Sequence, residues 1–111
     1  MAPDASSADV IAQCAAQLSG AEANRRPTEP LTQSFPALSV PDAYRIQQAN
    51  VQRRLARGER VVGHKIGLTA KAMQELFRVS EPDYGHLLDT MMHAASEPLD
   101  LSELIDPQIE V

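Results

Sequence analysis

The stretch from Ser39 to Gly58 reads as a helix, and it constrains what the rest of the chain can become. Pro41 falls where the first helical turn tolerates a proline. Tyr44, Val51 and Leu55 recur at i, i+7 and i+11, with Ala43 and Ile46 beside them, which is the spacing of one helix face. Gly58 supplies a C-terminal stop. Arg53, Arg54 and Arg57 fall in the last turns, where cations complement the helix dipole. Those arginines are explained without nucleic acid.

The other elements are placed around this helix. Residues 7–18 predict a first helix: Ser6 or Ser7 caps it, Asp9 sits in its first turn, Val10, Ile11, Cys14 and Leu18 repeat at helical spacing, and Gly20 lies past its end. Pro27, Pro30 and Pro36 make residues 20–40 an extended connection. Arg60 to Leu68 is short, β-branched and flanked by glycine, the pattern of a strand. Thr69 is positioned to cap a third helix over 70–78, with Ala72, Met73, Leu76 and Phe77 on its apolar side. Glu81-Pro-Asp-Tyr-Gly85 reads as a turn. A short strand over 86–92 and an acidic loop over 94–108, with a helical turn at 101–105, follow. Ile109-Glu110-Val111 reads as a strand beginning.

A chain of 111 residues is one small domain at most, or part of a larger one. Its apolar share is 43%, but aromatics are only 4%, so the core is thin for the length. Collagen-like, disulfide-scaffold and low-complexity classes are excluded. The net charge of −5 argues against a general nucleic-acid binder. The charge is uneven: residues 41–78 hold eight bases and three acids, and residues 79–111 hold eight acids and no base. Such blocks usually solvate two faces or pair with each other, and an anion site is the alternative. The single cysteine, Cys14, reads as a small buried thiol. No signal peptide or membrane span is read in the sequence, so a cytoplasmic location is expected.

Two residues stand out chemically. Lys65 lies in an apolar strand, with Gly63 and Gly67 two residues to either side on the same face. The glycines leave room for a ligand or another backbone. An edge-strand lysine that discourages aggregation is the plainer explanation. Asp83 is either an ordinary turn aspartate or a carboxylate able to meet Lys65 and exchange protons. His64, His86 and His93 show no zinc spacing, and no phosphate loop or dinucleotide fingerprint is present.

At these residues the sequence resembles a known family. Gly63-His-Lys-Ile-Gly-Leu-Thr-Ala-Lys-Ala-Met-Gln74, followed by Glu81-Pro-Asp-Tyr-Gly-His86, is similar to the 2-hydroxypentadienoate (2-keto-4-pentenoate) hydratases. That group also holds 4-oxalocrotonate decarboxylases and sits within the fumarylacetoacetate-hydrolase fold. Pro30-Leu-Thr, Ser39-Val-Pro-Asp-Ala-Tyr-Arg-Ile-Gln47 and Pro107-Gln-Ile-Glu-Val111 extend the match from about residue 25 onward. Ala70 stands where relatives often carry serine.

The resemblance implies an α+β chain: N-terminal helices and an extended connection over 1–60, then over 61–111 the first strands of a β-roll that is incomplete here. It implies that the chain is an N-terminal portion and inactive alone. It implies Lys65 and Asp83 as acid–base residues and Glu110 as the first carboxylate ligand of Mg²⁺ or Mn²⁺. The implied reaction adds water to 2-hydroxypenta-2,4-dienoate, giving 4-hydroxy-2-oxopentanoate, in aromatic or steroid catabolism. The implied substrate is a small unsaturated 2-oxo or 2-hydroxy carboxylic acid, and the full-length protein is expected to form homo-oligomers. No nucleic-acid or membrane partner is expected. The alternatives are a 4-oxalocrotonate decarboxylase relative and a non-catalytic interaction or assembly module.

Overall fold

The computed structural model describes residues 6–110. The helices α1 (Ala8–Asn24), α2 (Leu31–Ser34) and α3 (Val40–Ala56) are followed by strand β1 (Val61–Gly67), helix α4 (Lys71–Leu76) and strand β2 (Asp83–Leu88). Single 3₁₀ turns lie at Asp89–Met91 and Leu101–Glu103. The chain divides into two compact units. One holds the residues up to Arg53 and from Ala94 onward, and the other is Arg54–His93.

The first unit is built on α1 and α3. Ser7 caps α1, its Oγ accepting a hydrogen bond from the Val10 amide at 3.2 Å. Val10, Ile11, Cys14 and Ala15 form a stripe along α1 that is buried with Ile46 of α3. Leu31, Phe35, Leu38 and Ala49 pack against this cluster, so α2 and the segment after it close over the helices. Leu18, expected on the same stripe, is 37% exposed. Burial pushes the Cys14 thiol pKa up, because a thiolate loses more than a thiol on leaving water.

Helix α1 does not stop at Gly20. It continues to Asn24 and ends with Arg25 in the left-handed region at φ 54°. The Arg26 amide donates to the Ala21 carbonyl and the Arg25 amide to the Glu22 carbonyl, the two bonds of a Schellman cap. The cap therefore forms at an arginine. The supposed extended connection is correspondingly shorter, and α2 interrupts it.

Helix α3 starts where expected, with a reciprocal cap the spacing did not announce. Ser39 Oγ accepts from the Asp42 amide at 3.2 Å, and Asp42 Oδ2 accepts from the Ser39 amide at 2.9 Å and the Ser39 hydroxyl at 2.7 Å. This is a capping box with aspartate in the usual Glu/Gln position. Asp42 is buried, and these bonds, the Ser39 amide first, hold its carboxyl below the usual range. Gly58, at φ 96°, ends α3 as expected.

In the second unit β1 and β2 pair antiparallel. Lys65 lies opposite Gly85, Gly67 opposite Asp83, and His64 opposite His86, with a register shift between Val61 and Gly63. The ends of the pair are tied together. The Arg60 amide donates to Asp89 Oδ1 at 2.9 Å, and the Asp89 amide donates to the Arg60 carbonyl at 2.9 Å. Glu59 accepts from Arg54 at 3.1 Å and from Arg57 at 3.0 Å, and the Thr90 hydroxyl donates to it as well.

Four expectations change. Thr69 does not cap α4: the cap position is Ala70, with no side-chain hydrogen bond. Met73, Leu76 and Phe77, the expected apolar side of α4, are exposed. Asp83 and Gly85 do not form a turn but open β2, because pairing with β1 satisfies their backbone groups. Residues 109 and 110, read as the beginning of a strand, form none. Val111 lies outside the described residues.

Candidate active site

Side chains alternate along a strand, and the register decides what each face carries. Gly63, Lys65 and Gly67 of β1 share one face with Asp83, Gly85 and Leu87 of β2. Lys65 and Asp83 are therefore diagonal neighbours, each facing a glycine across the ladder. Diagonal pairs of this kind sit roughly 7–8 Å apart, within reach of a long side chain. Both residues are exposed. Thus the structure brings Lys65 and Asp83 to one face.

The three glycines on this face play different parts. A Cβ on residue 67 would collide with Asp83 Oδ1 and lie 3.5 Å from Asp83 Cγ. Here the room left by glycine is filled by the carboxylate itself. A Cβ on residue 63 would make an ordinary contact with Leu87 at 3.7 Å. A Cβ on residue 85 would meet nothing within 4 Å. The open ground thus lies over Gly85, directly opposite Lys65, and not over Gly63 and Gly67 as the spacing in β1 suggested.

The end of β1 is held by Gln74, which enters the sequence reading only as the last residue of the Gly63–Gln74 resemblance. Leu68 has φ 53°, a left-handed conformation that costs a leucine about 1–2 kcal/mol. Gln74 Nε2 donates to the Leu68 carbonyl at 2.7 Å. That bond ties α4 to the bend immediately after Gly67. No local pattern marked Gln74, since a glutamine on a helix is ordinary.

Glu110 lies in the other unit, exposed and outside any helix or strand. Among the described residues no group of three or more His, Cys, Asp or Glu side chains is placed to hold a metal ion. Hard divalent cations take about six or more oxygen ligands, so these residues do not by themselves make such a site. No helix among the described residues is long and apolar enough to cross a membrane.

Comparison with known proteins gives the pattern its context. No protein-family model matches the chain. It is 47% identical over 85 residues to a 2-keto-4-pentenoate hydratase of Paraburkholderia xenovorans (strain LB400), covering 77% of this chain and 32% of that protein. It is 44% identical over 100 residues to a 2-keto-4-pentenoate hydratase of Burkholderia vietnamiensis (strain G4 / LMG 22486), covering 90% and 38%. The chain is similar to members of the group of 2-keto-4-pentenoate hydratases and 4-oxalocrotonate decarboxylases. The structure agrees. It superposes on 4-oxalocrotonate decarboxylase from Pseudomonas putida G7, complexed with calcium and acetate, with a TM-score of 0.86, 32% identity and coverage of 89% of this chain and 38% of that one. The same decarboxylase complexed with magnesium and adipate matches with a TM-score of 0.73 and 33% identity, over 76% and 32%. The chain spans less than half the length of each of these group members.

Proposed function

We propose that the protein is a hydratase that adds water to 2-hydroxypenta-2,4-dienoate or a close homologue, giving 4-hydroxy-2-oxopentanoate or its counterpart. The observation that carries this reading is the shared face of Lys65 and Asp83, each opposite a glycine, in a chain 44–47% identical to 2-keto-4-pentenoate hydratases.

The chemistry follows from the residue types. The substrate is an anion. Its 2-hydroxyl loses a proton and C5 gains one, giving a 2-oxo-3-enoate; water then adds at C4 while negative charge develops on the 2-oxygen, and a proton delivered to C3 completes the hydration. A lysine ammonium binds the anion and neutralises that developing charge. The open space over Gly85, facing Lys65, is where a flat conjugated acid would lie. Asp83 accepts or returns a proton, or positions the attacking water.

A divalent metal belongs to this reading, supported by the calcium and magnesium complexes of the decarboxylase. Such an ion supplies Lewis-acid stabilisation of an enolate. Glu110 is one candidate carboxylate for it, and the described residues do not complete the ligand set. Mg²⁺ or Mn²⁺ suits oxygen ligands. The strand pair is read as part of a fumarylacetoacetate-hydrolase-like β-roll, with the helices and extended connection over 1–60 preceding the catalytic portion at 61–111. Homo-oligomerisation of the natural protein and a cytoplasmic location complete the reading.

The test is to incubate the natural protein with the dienoate and Mg²⁺ and to analyse the products by mass spectrometry. Gain of one water without loss of carbon supports the hydratase. The structural match to 4-oxalocrotonate decarboxylase favours a second reading. Release of carbon dioxide from a 2-oxo-hexenedioate, with no water addition to the dienoate, would replace the first reading with the second. Turnover of neither substrate would leave an interaction module as the better description.

A further inference from the structure

The face of the β1–β2 pair opposite Lys65 and Asp83 carries a second cluster, which the proposed reaction does not use. His64 and His86 are direct cross-strand partners. Their ring centres lie 4.8 Å apart, with the planes inclined at 57°. Tyr84 shares their face, two residues before His86, with its ring 6.4 Å from His64 and 6.0 Å from His86. His64 is exposed and His86 half-buried.

Two imidazoles at this separation differ from an ordinary aromatic pair because each neutral ring carries a nitrogen lone pair. Metal–imidazole bonds are about 2.0–2.1 Å long, so two rings sharing one ion at a near-tetrahedral angle have their centres roughly 5 Å apart. The observed spacing matches that requirement. The antiparallel register already holds the two backbones side by side, so little ordering would be lost on chelation. Imidazole ligands suit zinc, copper and nickel, whereas magnesium and calcium select oxygen. No group of three or more candidate ligands occurs among the described residues, so the site would have two protein ligands and coordination positions open to water. That is the arrangement of an exchangeable site, not of a closed structural one.

We infer that His64 and His86 form a chelating site for a divalent transition-metal ion of the zinc, nickel or copper kind, on the face of the sheet opposite Lys65 and Asp83. This site is distinct in ligand chemistry from an oxygen-ligated magnesium site and does not depend on the hydratase reading.

The test is a calorimetric titration of tag-free protein with Zn²⁺ in excess Mg²⁺. One equivalent of Zn²⁺ should bind. Affinity should fall about tenfold or more in His64→Asn and in His86→Asn, because each removes one of two ligands, and should hold in His93→Asn. Nitrogen-15 spectra of the wild-type imidazoles give a readout that needs no variant: Zn²⁺ should shift the ring nitrogens of His64 and His86 and spare those of His93. Absence of saturable binding, loss of binding in excess Mg²⁺, unchanged affinity in either His64→Asn or His86→Asn, or shifts centred on His93 would overturn the assignment.

Discussion

Asp83 stands directly across the ladder from Gly67, and its Oδ1 fills the space that a Cβ on residue 67 would need. The relationship makes the absence of a side chain at one position the condition for the conformation of a carboxylate at another. It also sets Asp83 beside Lys65, two residues from Gly67 on the same face.

Gly67→Ala should therefore displace Asp83 while leaving the helices intact. Crowding of this kind costs about 1–3 kcal/mol where the neighbour cannot yield. Asp83 is exposed and can rotate away, so the stability loss should fall at or below the low end. Turnover should fall much further than stability. Melting temperature and kcat measured on the same preparation check this. Wild-type turnover in Gly67→Ala would show that the observed Asp83 conformation is not the working one.

The helical core gives a stability prediction. Ile46 is 1% exposed and packs against the Val10, Ile11, Cys14 and Ala15 stripe. Ile46→Ala should cost about 2–5 kcal/mol. Ala43→Ser, an exposed change on the same helix, should fall within about 0.5 kcal/mol of wild type. Urea midpoints distinguish the two. In the folded protein Cys14, fully buried with its thiol pKa raised, should resist a thiol reagent until urea unfolds the chain.

Acid should destabilise the protein through named carboxylates. The Thr90 hydroxyl first, then Arg57 and Arg54, hold Glu59 below its usual pKa. The Arg60 amide does the same for Asp89, and Ser39 for Asp42. A carboxyl whose folded pKa is depressed binds its proton more readily unfolded. Its contribution is complete above the unfolded value, about 4, and is lost as pH falls through the folded value. The urea midpoint should therefore be flat from pH 7 to about 5 and fall below that. Thr90→Val removes the first of these causes at Glu59, so its acid limb should be shallower than that of wild type. Parallel limbs would contradict the role of Thr90.

Much of this architecture was legible in the sequence, and the failures share physical causes. Helix α3 was readable at both ends because Pro41 and Gly58 are chemically suited to their positions. The end of helix α1 is not legible in the sequence because its left-handed cap falls on Arg25, which no propensity favours. The same holds after α4, where Arg78 has φ 56° and the Val79 amide closes onto the Gln74 carbonyl. Pro82, Asp83 and Gly85 carry turn chemistry, yet Asp83 and Gly85 are strand residues because β1 supplies their ladder. Chemistry and resemblance single out Lys65 and Asp83, but only the register shows that they share a face, and only the surroundings of Gly85 show open ground there. The His64–His86 pair could not be seen without that register, since the two residues are distant in sequence.

Joint action of Lys65 and Asp83 on an unsaturated 2-hydroxy acid is open to test by substitution at the two positions. Turnover of 2-hydroxypenta-2,4-dienoate should be measured for wild type, Lys65→Met and Asp83→Asn, with circular dichroism confirming the fold of each. Removing a group that moves a proton or meets developing charge costs about 10²–10⁴-fold, and both variants should lose kcat on that scale while their melting temperatures stay close to wild type. Folded Lys65→Met and Asp83→Asn proteins that hydrate the dienoate at the wild-type rate would contradict the account.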